Sequence, residues 1–196
     1  NYERGILLYH LVRTSNARDV LEIGFGRGYG ALCVAKAFCD MGVAGRVTSV
    51  DPTPAGRAGE EWHAYQERLF KLFPWASQYI DVKLGLSQDV VPSLPGAWDV
   101  VYIDGDHSYE GTRADWLLVN DRWRRHVLFD DYHLPSKHDP GIQCSRAIDE
   151  IEEKSFTKEV LHTDRRLFID DRGLRDDQID YGQVLLTRHD TEGKSQ

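Results

Sequence analysis

Apolar and polar residues follow two periods along this chain, and the period switches repeatedly. Short apolar runs recur at Asp19–Ile23, 46–50, Ile80–Leu84, Trp98–Ile103 and 126–129. Between them lie stretches with apolar residues three and four apart. Trp62, Tyr65, Leu69 and Phe73 are spaced this way just before Pro74, and Cys144, Ala147, Ile148 and Ile151 repeat the pattern. Short apolar or alternating runs predict strands, and the 3.6-residue period predicts amphipathic helices. The pattern therefore gives helices at 6–13, 28–41, 60–73, 109–123 and 144–151, with the five strands interleaved.

Alternation of this kind builds a mostly parallel sheet with helices on both faces. Residues 98–103 are apolar apart from Asp99, as suits a strand buried on both sides. Two later strands, 158–162 and 182–187, have only a charged loop between them, so they pair most easily as antiparallel neighbours. The expected fold is α/β: a Rossmann-like, seven-stranded, mostly parallel sheet with an antiparallel terminal strand pair. Residues 1–18 form an N-terminal helical segment, 19–189 the main domain and 190–196 a polar tail.

Composition narrows the function more than the fold. The 196 residues, 41% hydrophobic and 29% charged, suit one domain with a sizeable core. A net charge of −8 argues against nucleic acid as a partner, since phosphate binding draws on clustered Lys and Arg. Arg122, Arg124 and Arg125 form a tight basic cluster, but they flank a strand start and read as a solvated loop. Three cysteines without C-x-x-C spacing give neither a disulfide framework nor a zinc site, which fits the cytoplasm. No run approaches the roughly 20 apolar residues of a membrane helix, so no membrane partner is expected. An acidic surface on a short chain is compatible with a homodimer. The chain opens without Met, which leaves room for an upstream segment.

The first strand ends in Glu22 and runs into Gly24-Phe25-Gly26-Arg27-Gly28 before a helix. Glycines at alternate positions let the backbone pass close to a nucleoside and turn sharply. Asp51 ends the second strand, where an acid accepts hydrogen bonds from ribose hydroxyls. Glu22, Gly24, Phe25, Gly26, Gly28 and Asp51 are thus candidate nucleoside-binding residues; Arg27 reads as a surface residue. The dinucleotide frame G-x-G-x-x-G fits less well: started at Gly24 it ends on Tyr29, and started at Gly26 it ends on Ala31. An NAD-type oxidoreductase stays as the alternative, as does a non-catalytic nucleotide-binding scaffold. Ser87 and Gln88, after the third strand, either line the base pocket or begin a helix, with Ser87 as its N-cap.

The fourth strand leads into Asp104-Gly105-Asp106-His107-Ser108-Tyr109, and the fifth into Asp130-Asp131. Both groups leave the sheet at the same edge, beside the glycine loop. The acids either cap helices or surround a positive charge, and two such groups together favour the charge. A hard divalent cation such as Mg²⁺ prefers oxygen ligands, and Asp104, Asp130 and Asp131 are the preferred set. His107, three residues after Asp104, titrates near neutrality and serves as a base, with Asp106 as the alternative. An iron site from His133, His138 and Asp139 is the weaker arrangement.

These residues resemble a known family. Glu22 to Gly28 resembles motif I of class I S-adenosylmethionine-dependent methyltransferases, and Asp51 their ribose-binding acid. Asp104 to Tyr109 with Asp130-Asp131-Tyr132 resembles the metal-dependent O-methyltransferases, above all the macrocin type acting on antibiotic sugars. Catechol and caffeoyl-CoA O-methyltransferases are more distant relatives in the same style. Gln143 to Asp149 is similar to the helix that follows the acidic pair in the macrocin type. The resemblance spans about 19–151 and implies S-adenosylmethionine as cofactor, with Asp104 near it, and Mg²⁺ or another divalent cation on Asp104, Asp130 and Asp131. It implies methylation of a small-molecule hydroxyl, with a base at the position of His107 or Asp106.

Overall fold

The computed structural model describes residues 2–53, 61–132, 143–162, 169–170, 173–174 and 182–189. The chain runs α1 (Tyr2–Thr14), β1 (Asp19–Ile23), α2 (Tyr29–Met41), β2 (Arg46–Asp51), α3 (Trp62–Leu72), β3 (Ile80–Leu84), α4 (Ser87–Val90), β4 (Trp98–Ile103) and α5 (Tyr109–Val119). It continues through β5 (Trp123–Tyr132), α6 (Cys144–Asp149), β6 (Phe156–His162), the two-residue strands β7 (Ile169–Asp170) and β8 (Gly173–Leu174), and β9 (Gly182–Arg188). Seven strands form one sheet in the order β3-β2-β1-β4-β5-β9-β6. β1 to β5 are parallel, and β9 lies antiparallel between β5 and β6. This is the expected Rossmann-like sheet with its antiparallel terminal pair; β7 and β8 pair separately.

The central strands feed two cores, because successive side chains point to opposite faces. Val20, Val47, Val100 and Leu128 pack with Leu8, Val12, Ala31, Val34 and Phe38 of α1 and α2. Leu21, Val101, Val127 and Phe129 pack on the other face with Val119 of α5 and Ile148 of α6. Burial on both sides explains why the strands read as nearly continuous apolar runs. One residue breaks the pattern on β1: Glu22 is 2% exposed.

Several boundaries differ from the pattern. α5 stops at Val119, and β5 begins at Trp123, which pairs with Trp98. Two residues of the basic cluster are therefore structural, while Arg125 is exposed. Arg122 donates to the carbonyls of Val91, Leu94 and Gly96 and lies over the Trp98 ring, while Arg124 bonds Asp99 at 3.1 Å. Ile151 is buried but lies beyond the end of α6. His133, His138, Asp139 and the predicted tail 190–196 fall outside the described residues. No described helix is long and apolar enough to cross a membrane.

The sheet order reverses between β1 and β4, and ligands bind at such switch points in open α/β sheets. There the loop after β1 passes against the loop after β4. Gly24 has φ +95, and a Cβ on it would stand 2.0 Å from the Asp104 carbonyl oxygen. Gly26 has φ +52 but open space around its Cβ position. Gly24→Ala is therefore expected to cost at least about 3 kcal/mol, combining left-handed strain with a backbone collision. Gly26→Ala should cost about 1–2 kcal/mol, from strain alone. Urea denaturation of the two variants measures the contrast; equal losses would remove the claim that the close approach at Gly24 is structurally demanding.

Candidate functional site

The glycine loop is tied down from several sides. The Gly26 N–H donates to Asp51 Oδ2 at 2.8 Å, and the Thr53 N–H to Asp51 Oδ1 at 2.8 Å. The Gly28 N–H closes a turn on the Phe25 carbonyl at 2.7 Å, and Tyr65 holds the Arg27 carbonyl at 2.7 Å. Asp51 thus fixes the loop it was expected to face. Phe25 is buried at 3% exposure, edge-on to Trp62 and packed against Gly28, where a Cβ would meet its ring at 2.6 Å. Phe25 and Gly28 shape the loop from behind; Arg27 is exposed, as expected.

Over the loop lies a cavity of about 380 Å³. Gly24, Gly26 and Asp51 line one part of it, Ser87 and Gln88 another, and Asp104 and Asp106 border it as well. Such a volume falls within the range of small-ligand pockets. Glu22 does not reach this cavity. Its carboxyl accepts from the Ser49 hydroxyl at 2.5 Å and from the Ala31 N–H at the start of α2. Gly30 makes room for it, since a Cβ there would collide with Oε1. Burial pushes the Glu22 carboxyl up to about 8, against the pull of Ser49. Ser87 is not the N-cap of α4: Leu86 holds that position, and the Ser87 hydroxyl donates to Asp115 Oδ1 at 2.5 Å.

The acidic groups meet at the same sheet edge but divide their partners. Asp130 is 3% exposed; its Oδ1 accepts from Gln183 Nε2 at 2.9 Å, and its Oδ2 accepts from Arg4 and, at 3.1 Å, from the Tyr102 hydroxyl. Arg4 also bonds Asp104 at 3.1 Å, and the Tyr102 hydroxyl lies 3.0 Å from the same oxygen. Burial holds the Tyr102 phenol well above its ordinary range, so it remains a donor. Burial likewise pushes the Asp104 carboxyl up to about 6, with Arg4 opposing. Asp131 is turned elsewhere: its φ is +53, β5 changes register between Phe129 and Tyr132, and Oδ2 lies 3.3 Å from His107 Nε2.

Asp104, His107 and Asp131 each offer one ligand atom within 4.8 Å of the others. Such a cluster can hold a cation on its two hard carboxylate donors, with the imidazole standing beside them. Asp106 is exposed, and its Oδ1 accepts the Ser108 N–H at 2.9 Å while Ser108 caps α5 through Gly111.

A family model described as a methyltransferase domain matches residues 21–132, more than half of the 196-residue chain. The chain belongs to this methyltransferase family. No curated protein matches it significantly. The O-methyltransferase from Bacillus cereus, solved with SAH, is 19% identical with a TM-score of 0.66 and covers 96% of this chain and 82% of its own. TomG of tomaymycin synthesis, an O-methyltransferase from Streptomyces achromogenes solved with SAM, is 20% identical with a TM-score of 0.68, covering 96% and 81%. Cofactor-bound Rv0187 from MTB is 21% identical with a TM-score of 0.69, again covering 96% and 81%. An rRNA methylase from Streptococcus thermophilus shares the fold at 11% identity and a TM-score of 0.60, covering 93% of this chain and 94% of its own. These likenesses establish the fold, which serves different acceptors. The oxidoreductase reading of the glycine loop is not favoured.

Four residues of this methyltransferase's site lie outside the sequence motifs: Arg4, Tyr102, Asp115 and Gln183. Gln183 and Asp115 left a trace. Gln183 is a polar residue in an apolar strand, and Asp115 shares the buried face of α5 with Thr112 and Val119. Arg4 left none, because the reach of its side chain depends on how α1 packs.

The buried Glu22 carries a pH signature. Its carboxyl keeps its proton in the folded chain up to about 8, whereas the unfolded chain releases it near 4.5. The folded state binds more protons in that window, so stability falls as pH rises through it and levels off above about 8. Urea unfolding at pH 6.5 and 8.5 should show this loss in the wild type and a nearly flat response in Glu22→Gln. A wild-type stability that does not fall over that range would contradict the buried, protonated state.

Proposed function

We propose that this methyltransferase transfers a methyl group from S-adenosylmethionine to a hydroxyl of a small molecule, such as a vicinal diol of a sugar or natural product. The observation that carries the reading is the double placement of Asp104. It borders the nucleoside-sized cavity over the glycine loop and also belongs to the cluster with His107 and Asp131. Methyl donor and acceptor oxygen would thus be held on the two sides of one carboxylate. The two bound groups supply an electrophilic methyl and a positive charge that lowers the pKa of the acceptor hydroxyl.

The chain's own residues do the rest. Gly24 and Gly26 leave the backbone bare for close approach, and Asp51 retains lone pairs for ribose hydroxyls beyond those given to Gly26 and Thr53. Ser87 and Gln88 border the base end. Asp104 and Asp131 are the favoured ligands of a divalent cation, Mg²⁺ foremost. Asp130, the third ligand expected from sequence, joins them only if its oxygens leave Arg4, Tyr102 and Gln183. His107 is the favoured base: Asp131 beside it stabilises the imidazolium formed when it takes the hydroxyl proton. Asp106 is less suited, since it is exposed and turned toward the start of α5. Positioning and electrostatic stabilisation of the developing alkoxide supply most of the acceleration.

The net charge of −8 supports a small-molecule acceptor over nucleic acid. Three free cysteines support a reducing cytoplasmic setting, and the same acidic chain is compatible with a homodimer.

Calorimetry should show S-adenosylhomocysteine binding and no NAD binding; the reverse would return the oxidoreductase reading. Methyl transfer to a panel of diols and catechols should stop in EDTA and resume with Mg²⁺. Full turnover in chelator would end the metal assignment. His107→Ala should lower turnover by about 10²–10⁴-fold while S-adenosylhomocysteine affinity stays within about threefold. A collapse of affinity with unchanged turnover would remove His107 from the chemistry.

A further inference from the structure

Two carboxylates turn one oxygen each toward a single guanidinium at the sheet edge. Asp104 follows β4, and Asp130 lies near the end of β5, its parallel neighbour. Arg4 Nη1 bonds Oδ2 of both acids, and the Tyr102 hydroxyl lies 3.0 Å and 3.1 Å from the same two oxygens. Acids that converge in this way, away from water, need a positive charge between them. Here it comes from α1, an element outside the sheet.

The seat of this arginine is imperfect. One nitrogen, Nη1, makes the bonds to both acids, whereas a guanidinium pairs best by presenting two parallel N–H groups to one carboxylate. Its Nε is buried and has no partner among the described residues. A buried donor left unpaired costs stability. What Arg4 gives the acids is chiefly charge, and another cation can give the same. Asp104 in addition belongs to the cluster with His107 and Asp131. One carboxylate thus serves two places for positive charge, with its side chain only 19% exposed. An ion held by Asp104 would share that ligand with the guanidinium, with little water to screen the two charges from each other.

Resting on the divalent cation of the proposed function, we infer that Arg4 is a tethered rival of that cation: guanidinium and ion compete for Asp104 and Asp130. Arg4 therefore sets the affinity of the site without being a ligand in it. With its charge removed, the ion binds more tightly, and Asp130 is released to become a third carboxylate ligand. Tyr102 and Gln183 continue to hold Asp130 at the edge when the arginine leaves. Seating of the arginine and loading of the ion oppose each other by equal free energies, so metal binding loosens the hold of this edge on α1.

Calorimetric titration with MnCl₂, in the absence of any methyl donor, tests this without turnover. Arg4→Met keeps most of the side chain's bulk and removes its charge, and it should bind Mn²⁺ about tenfold tighter than the wild type or more. Arg4→Lys keeps the charge and should stay within about threefold of the wild type. A merely structural role gives the opposite order, because Met would loosen α1 more than Lys and so weaken the site. In the wild type, saturating Mg²⁺ should shift the Arg4 Nε–H resonance in a ¹⁵N-correlated NMR spectrum, with Arg4→Lys identifying that resonance by its loss. Mn²⁺ affinity that is unchanged or weaker in folded Arg4→Met overturns the inference. An Arg4 resonance that saturating Mg²⁺ leaves in place overturns it as well, and that arm does not need the uncharged variant to fold. If neither the wild type nor Arg4→Met binds Mn²⁺, the divalent cation of the proposed function falls and this inference with it. Binding that is indifferent to Arg4 keeps that cation and removes only the rivalry.

Discussion

The meeting of backbone against backbone at Gly24 and Asp104 organises everything else in the site. The Gly24 N–H donates to Val50 at 2.9 Å and the Asp104 N–H to Ile23 at 2.8 Å, so the tips of β1, β2 and β4 are tied at the point where the strand order reverses. No side chain fits between the two loops there. The consequence is chemical. Because the loops touch, one residue, Asp104, borders both the cavity over the glycines and the cluster with His107 and Asp131. Loops held a methyl group further apart would separate two half-sites that now share a wall.

Crowding carboxyl groups into a desolvated sheet edge is costly, because Coulomb repulsion grows as water is removed. The protein meets that cost differently at each depth. Glu22, deepest, keeps its proton and leans on the N-terminus of α2. Asp130 is neutralised by Arg4 and further satisfied by Tyr102 and Gln183. Asp104 shares that arginine, and burial raises its pKa to about 6. Asp131, nearer solvent, has His107 beside it. The charge still uncompensated is therefore concentrated where a ligand or cation can arrive, while the interior is already balanced.

Much of this was legible in the sequence because it is local. Strand ends, glycine spacing and the acids after β4 and β5 are read within a few residues, and the mostly parallel sheet follows from the alternation of strands and helices. What could not be read depends on packing between distant elements. Arg4 and Gln183 lie near opposite ends of the chain, yet both reach Asp130. Glu22 looked like a ligand-facing acid because it ends a strand; the pleat sends its side chain toward α2 instead. Phe25 and Gly28, inside the motif, support the loop from behind. A motif names the neighbourhood, and the pleat decides which of its members face the cavity.

The same rule separates Asp130 from Asp131, which sequence alone presents as a matched pair. In a regular strand neighbouring side chains point to opposite faces, so two adjacent acids cannot both face one ligand without a change in the backbone. β5 makes that change at its end, with a register shift and a left-handed Asp131, a device common beside active sites. Asp130 follows the pleat inward to Arg4, on the face where Tyr102 and α1 pack, while Asp131 is swung to His107. The N-terminal helix is thereby tied to this sheet edge. α1 is held on the core by Leu8, Leu11 and Val12, and its arginine supplies the positive charge that holds Asp130 in the interior while Asp131 stands beside His107.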